Sequence, residues 1–194
     1  MVTFVTATCF DSLRTGLLGP TLSPEEVEGC QAVFDAMEGL PLSHCAYALA
    51  TAYHETASTM QPVREAFWLS ENWRRKNLRY YPWYGRGYVQ LTWDTNYARA
   101  DRELNMGGSL IRNLDLAMNP GVAARIMRRG MVEGWFAGDS RGRHTLRRHL
   151  GTGGLGTKEQ FMAARRIING RDKDELIARY ALRFQEALQA GTWP

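Results

Sequence analysis

The chain has 194 residues, 44% of them hydrophobic and 23% charged, with a formal net charge of +4 at pH 7. That length suits a single domain with a sizeable core, and the composition excludes a disordered chain. No apolar run approaches the ~20 residues that a membrane span needs, so no stable membrane insertion is expected. The basic excess, mostly arginine, suits an anionic partner such as nucleic acid, a membrane surface or an acidic cell-wall polymer, without choosing among them.

The N-terminal "MVTFVTATCFDSLRTG" has no basic n-region and only a broken apolar run, so it does not read as a secretory signal. "LSPEEVEGCQAVFDAMEG" reads as a helix: Ser23 caps it, Pro24 takes its first position, Glu26 completes a capping box and Gly39 stops it. Val27, Cys30, Phe34 and Met37 form its apolar face. "LSHCAYALATAYHET" reads as a second helix starting near Ser43, apolar almost all round and therefore buried. Residues 57–87 read as irregular and aromatic-rich, and "GYVQLTW" as a short strand. "TNYARADRELN", "GVAARIMRRGMVEGWF" after Pro120, "EQFMAARRIIN" and "KDELIARYALRFQEALQ" read as helices, with a polar, basic connection over residues 138–158. The expected fold is mainly α (α+β): a single domain over residues 1–194 with a small β region.

Several motifs fail on their context. "GTGGLG" (151–156) matches the dinucleotide pattern but follows "RGRHTLRRHL", which is no buried strand. "GDSRG" (138–142) lacks the strand that a nucleophile elbow needs and reads as a turn. "HETAS" has Ser58 where a zinc motif requires its second histidine. Cys9, Cys30 and Cys45 give neither a disulfide framework nor zinc-ligand spacing, and Cys30 and Cys45 read as buried thiols. No metal or cofactor is expected. The arginine pairs of "MRRG", "RRHL" and "AARRI" read as solvated faces rather than a base-reading helix, so no nucleic-acid partner is expected.

"YHETASTMQPVRE" (53–65) carries the chemistry. Glu55 ends the buried helix, with Ala48, Thr51 and Ala52 on its face. Burial penalises a charged carboxylate, which makes Glu55 a candidate proton donor. Glu65 follows Pro62 in a polar loop beside Arg64 and is the wetter carboxylate. Such a pair, one acid and one base, is what glycosidic hydrolysis needs. The alternative is a capping or salt-bridged Glu55 and a surface Glu65.

"YGRGYVQLTWDTNY" (84–97) resembles the signature segment of glycoside hydrolase family 19, and "LATAYHET" resembles that family's catalytic helix. "DLAMNPGVAARIMRRGMVEGWFAG" and "RRIING" are similar to its later segments, in the same order. The likeness covers residues 45–180 and lies nearest the phage and prophage endolysin branch. The resemblance implies a lysozyme-like, two-lobed fold with a central cleft and no separate wall-binding domain, with Glu55 as general acid, Glu65 as general base and Thr92 holding the attacking water. It implies that Gln90, Asn96 and Asn169 bind sugar and its N-acetyl groups and that His54 supports the acid. Tyr84 and Trp93, in a cluster with Tyr80, Tyr81 and Trp83, are candidates for stacking on sugar rings or for filling a core. Arg86 is expected to form an internal ion pair rather than to touch substrate.

The chain departs from the family at Ala57 and Ser58, where many relatives carry two glycines, and at Thr95, where chitinases often have tyrosine. Glu71 is a nearby rival to Glu65 as base. The implied activity is hydrolysis of the β-1,4 bond between N-acetylmuramic acid and N-acetylglucosamine in peptidoglycan, with inversion. Chitinase action on N-acetylglucosamine polymers and non-catalytic carbohydrate binding are the alternatives. The implied setting is a monomer made in a host cytoplasm and acting on the cell wall after release.

Overall fold

A computed structural model describes residues 4–194. Helix α1 (Thr6–Gly16) is followed by α2 (Pro24–Met37), whose start has the expected capping box. The Glu26 amide donates to the Ser23 hydroxyl at 3.1 Å and the Ser23 amide to the Glu26 carboxylate at 2.8 Å. Helix α3 (Leu42–Glu55) is the central element, with every residue from Ser43 to Ala52 buried. Its small alanine side chains favour helix and let neighbouring elements approach closely.

The chain then enters an irregular wall. It contains strand β1 (Val63–Arg64), helix α4 (Glu71–Asn77) and strand β2 (Arg86–Gly87). Strands β1 and β2 pair antiparallel, Val63 with Gly87 and Arg64 with Arg86. The strand therefore lies before the expected "YVQL" position. Gly87 and Gln90 take left-handed backbone at φ 84° and 50°, which breaks the extended run. Arg86 and Leu91 exchange backbone bonds of 3.2 and 2.9 Å across the resulting tight loop.

Helices α5 (Asp94–Glu103), α6 (Ser109–Arg112) and α7 (Pro120–Glu133) follow. The basic connection is more ordered than its composition implies. It holds a hairpin of β3 (Gly138–Asp139) and β4 (Gly142–Arg143), with "GDSRG" as its turn, and helix α8 (Leu146–Leu150). Helices α9 (Lys158–Ala164) and α10 (Asp174–Ala190) close the chain. Helix α10 packs along α3, with α1 and α9 against it, while α2 packs on α7. The architecture is mainly α with two small antiparallel strand pairs, as expected.

Two close approaches join the wall to the helical body. A Cβ on Gly29 of α2 would overlap the Met60 carbonyl oxygen, so only glycine lets α2 lie against the loop after α3. That same carbonyl accepts a 2.9 Å bond from the buried Tyr88 hydroxyl. The three cysteines are free and buried, and burial pushes the Cys9 thiol up to about 12. Among the described residues no helix is long and apolar enough to cross a membrane.

Candidate active site

Glu55 and Glu65 line one cleft of about 560 Å³, together with Tyr80, Val89, Gln90, Thr92, Ile168 and Asn169. The two carboxylates arrive from different structures and are held in different ways.

Glu55 sits at the last position of α3, with its side chain 19% exposed. Its niche is not the uncharged one that the apolar helix implies. The Arg165 guanidinium donates to Glu55 Oε1 at 2.8 Å and to the Asp172 carbonyl at 2.9 Å. Arg165 is itself 1% exposed, which corrects the reading of "AARRI" as a solvated face. A buried guanidinium needs its donors satisfied, and this ion pair supplies part of that need. Among the described residues no hydrogen bond is made to Oε2, leaving that oxygen available to substrate.

Glu65 follows β1 and is held from three directions. Tyr80 donates its hydroxyl to Oε1 at 2.6 Å, and the Gly85 amide donates to Oε2 at 3.0 Å. The Glu65 amide donates to the Gly85 carbonyl at 2.7 Å. A Cβ on Gly85 would meet Gln90 Oε1 at 2.7 Å and Glu65 Oε2 at 3.3 Å, so the glycine makes room for the carboxylate. Burial and the bond to Glu65 push the Tyr80 phenol up to about 12, so it remains a donor.

The loop carrying Glu65 is fastened by Arg74, 5% exposed, from α4. Its guanidinium donates to the carbonyls of Glu65 at 2.8 Å and Ala66 at 3.0 Å, and to Glu71 Oε2 at 3.2 Å. Arg64 does not neutralise Glu65. It pairs with Asp115 at 2.7 Å, and Arg86 pairs with the other oxygen of Asp115 at 3.0 Å. Burial alone would raise the Asp115 carboxyl, but the two arginines outweigh it and hold it below the usual range. Arg86 thus forms the expected internal pair.

The structure separates the two candidate bases. Glu71 is at the exposed start of α4, bonded to Arg74 and to the Tyr84 hydroxyl at 2.9 Å, and does not line the cleft. Thr92 does line it, with its hydroxyl donating to the Gln90 carbonyl at 2.8 Å. Gln90 lines it too, but its amide nitrogen is committed to the Val63 and Gly87 carbonyls at 3.0 and 3.1 Å. Its Oε1 is the group left for a ligand. Asn169 is exposed on the opposite wall.

Other candidates lie off the cleft. Tyr84 is 1% exposed, with the Arg86 guanidinium 3.7 Å from its ring centroid, so it is a core residue and not a sugar platform. Asn96 spends its amide on the Thr92 carbonyl at 2.8 Å and braces the start of α5. His54 is half-buried and lies outside the cleft lining. Burial pushes its imidazole below the ordinary value, against the pull of Glu55 and with Arg165 and Lys173 adding to the effect. Trp93 is 42% exposed and packs edge-on against Tyr80, 4.9 Å between centroids, at the cleft margin. The aromatic cluster thus divides: Trp83 packs on the buried Tyr97, Tyr80 lines the cleft, and the exposed Trp93 packs on Tyr80 from outside the lining.

Arg165 and Arg74 were not among the site residues read from sequence, and Tyr80 was read only as a member of the aromatic cluster, not as a donor to Glu65. Arg165 had a legible signal, since it stands four residues after the buried Phe161 on the same helical face. Arg74 had none, because the turns that bring Glu65 and Ala66 to it are set by tertiary contacts.

No family model matches the chain, and no curated protein matches it. Solved structures do. Chitinase C from Streptomyces griseus HUT6037 aligns with a TM-score of 0.65 and 19% identity, covering 98% of this chain and 78% of its own. A mutant of chitinase C aligns with a TM-score of 0.60 over the same shares. A bacterial family 19 chitinase aligns at 0.58 and 20% identity, covering 95% of this chain and 94% of that one. The chain has the fold of these chitinases.

Proposed function

We propose that the protein is a glycoside hydrolase that cuts β-1,4 bonds of an N-acetylglucosamine-containing polysaccharide by inverting acid–base catalysis. The finer reading is an endolysin that acts, as a monomer, on peptidoglycan between N-acetylmuramic acid and N-acetylglucosamine. The observation that carries the reading is the meeting of Glu55 and Glu65 in one cleft, each held by partners that leave it capacity to react.

In this mechanism Glu55 donates a proton from Oε2 to the leaving glycosidic oxygen. The Arg165 guanidinium, already beside Oε1, receives the carboxylate that remains. Glu65 takes a proton from water on the other face of the sugar ring, and its bonds from Tyr80 and Gly85 aim it without using all its lone pairs. Thr92 orients that water, while Gln90 Oε1 and Asn169 hold the sugar amide groups. Inversion requires about 6.5–9.5 Å between the carboxyl groups, room enough for the water. Tyr80 offers an apolar ring in the cleft, braced edge-on by Trp93, which suits a pyranose.

The structural neighbours are named as chitinases, which favours chitin oligomers as a second substrate reading. The net positive charge favours the anionic bacterial wall, reached after release from the cytoplasm. Mass spectrometry of digested peptidoglycan and chitin hexamer, with the anomer followed by NMR, tests the reading. Muramic acid at new reducing ends and an initial α-anomer are the expected result. Cleavage of the hexamer alone makes the protein a chitinase. Saturable binding with neither polymer cut makes it a non-catalytic carbohydrate-binding protein.

A further inference from the structure

Three exposed cations, Arg75 and Lys76 in the last turn of α4 and Arg79 just after it, have no ion-pair partner among the described residues. Arg79 is the one tied to the cleft. Its guanidinium carbon lies 5.4 Å from the Trp93 ring centroid. Trp93 packs on Tyr80 at 4.9 Å, and Tyr80 both lines the cleft and bonds Glu65 at 2.6 Å. The Trp93 amide is anchored to the Trp83 carbonyl at 2.8 Å, so the indole that carries the guanidinium is fixed at its root. Stacking on an aromatic face restrains an arginine while leaving its N–H edge exposed. Arg75 is restrained similarly over Tyr81, 5.5 Å from the ring centroid.

A pre-oriented guanidinium two ring contacts from a reacting carboxylate is a receptor for an anion on the substrate. A neutral N-acetylglucosamine polymer offers none. A muramic acid polymer carries a lactyl carboxyl on alternate sugars, free or extended by a peptide that bears carboxylates of its own. We infer that Arg79, stacked on Trp93, forms a carboxylate subsite at the cleft margin and determines specificity for an acidic amino-sugar polymer over a neutral one. The inference rests on the glycosidase reading for its catalytic consequence, and on the rim geometry alone for binding. Arg79→Lys would keep the charge but lose the planar fork and much of the stacking.

The test compares wild type, Arg79→Gln and Arg79→Lys on soluble muramic-acid-containing fragments and on neutral N-acetylglucosamine hexamer, at two salt concentrations. Arg79→Gln is expected to lower kcat/KM on the acidic fragments by roughly five- to ten-fold, mostly through KM, and to change hexamer turnover less than two-fold. Arg79→Lys should recover part of the loss. Added salt should erode the wild-type preference and leave Arg79→Gln nearly unaffected. Equal losses on both substrates, or a wild type that prefers the hexamer, overturn the subsite. Calorimetric binding of the same two ligands separates the ideas. If neither ligand is hydrolysed but Arg79→Gln still loses acidic-fragment binding, the subsite stands and the glycosidase reading falls.

Discussion

Glu55 ends a helix in which every residue from Ser43 to Ala52 is buried, whereas Glu65 follows a two-residue strand in a wall made mostly of turns. On the first side, packing fixes the position: α3 lies along α10, and one arginine, Arg165, completes the site. On the second, Met60, Tyr88 and Leu91 anchor the wall in the core, and directed bonds hold the turns between them. Arg74 grips two successive carbonyls, while Arg86 reaches Asp115, Pro82, Tyr84 and Tyr97. A packed helix offers a carboxylate with little freedom. A loop presents one when buried guanidinium groups, Arg74 and Arg86, bind the carbonyls of its turns.

The largest expected effect tests whether the two carboxylates are catalytic partners despite these different supports. Glu55→Gln and Glu65→Gln should each lower turnover by about 10²–10⁴-fold, with circular dichroism unchanged. Glu71→Gln should stay within a few-fold of wild type, because Glu71 touches Arg74 and Tyr84 rather than the cleft. A Glu71→Gln loss as deep as that of Glu65→Gln would reverse the choice of base.

The same contrast explains what the sequence made legible. Helices α2, α3, α7 and α10 are periodic and, in part, capped, so local chemistry names them, and Glu55 could be placed on α3. In the wall, local chemistry misleads. "YVQL" has strand composition, yet the left-handed Gln90 and the buried Tyr88 turn it into a loop. Tyr84 and Trp93 are both aromatic residues of one motif, but the Arg86 network buries the first and leaves the second exposed. "RRIING" drew attention to Asn169, while the residue that touches Glu55 is Arg165. An arginine pair shows no sign in sequence of which member turns inward until the helical face carrying Phe161 is taken into account.

Two arginine variants sharpen the comparison at intermediate size. Arg165→Met removes the buried partner of both Glu55 and the Asp172 carbonyl and should cost about 3–5 kcal/mol of stability. In a Glu55→Gln background the same change should cost less, since the pair is already broken, and denaturant titration of the four proteins reads that coupling. Arg74→Met strands two carbonyls and should cost about 2–4 kcal/mol. Its cost should be unchanged by Glu55→Gln, because the two groups hold separate walls. Strong coupling between Arg74 and Glu55 would mean that the walls form one network after all.

The smallest effect lies where the packed helix gives way to the loop. Ala57 and Ser58, exposed and next after Thr56, take left-handed backbone at φ 52° and 71°. A side chain there costs about 1–2 kcal/mol, and glycine returns part of that through the freedom of its unfolded chain. Ser58→Gly should therefore raise stability by about 0.5–1 kcal/mol, a shift of about 1–4 °C in Tm for a chain of this size. The Ser58 amide bond to the Tyr53 carbonyl, 2.8 Å, belongs to the backbone and survives the change. Turnover should move less than two-fold, because Glu55 is held by α3 and Arg165 rather than by this turn. If Ser58→Gly instead lowers both Tm and turnover, the strained turn is itself part of what positions Glu55, and packing alone does not account for the helix side of the site.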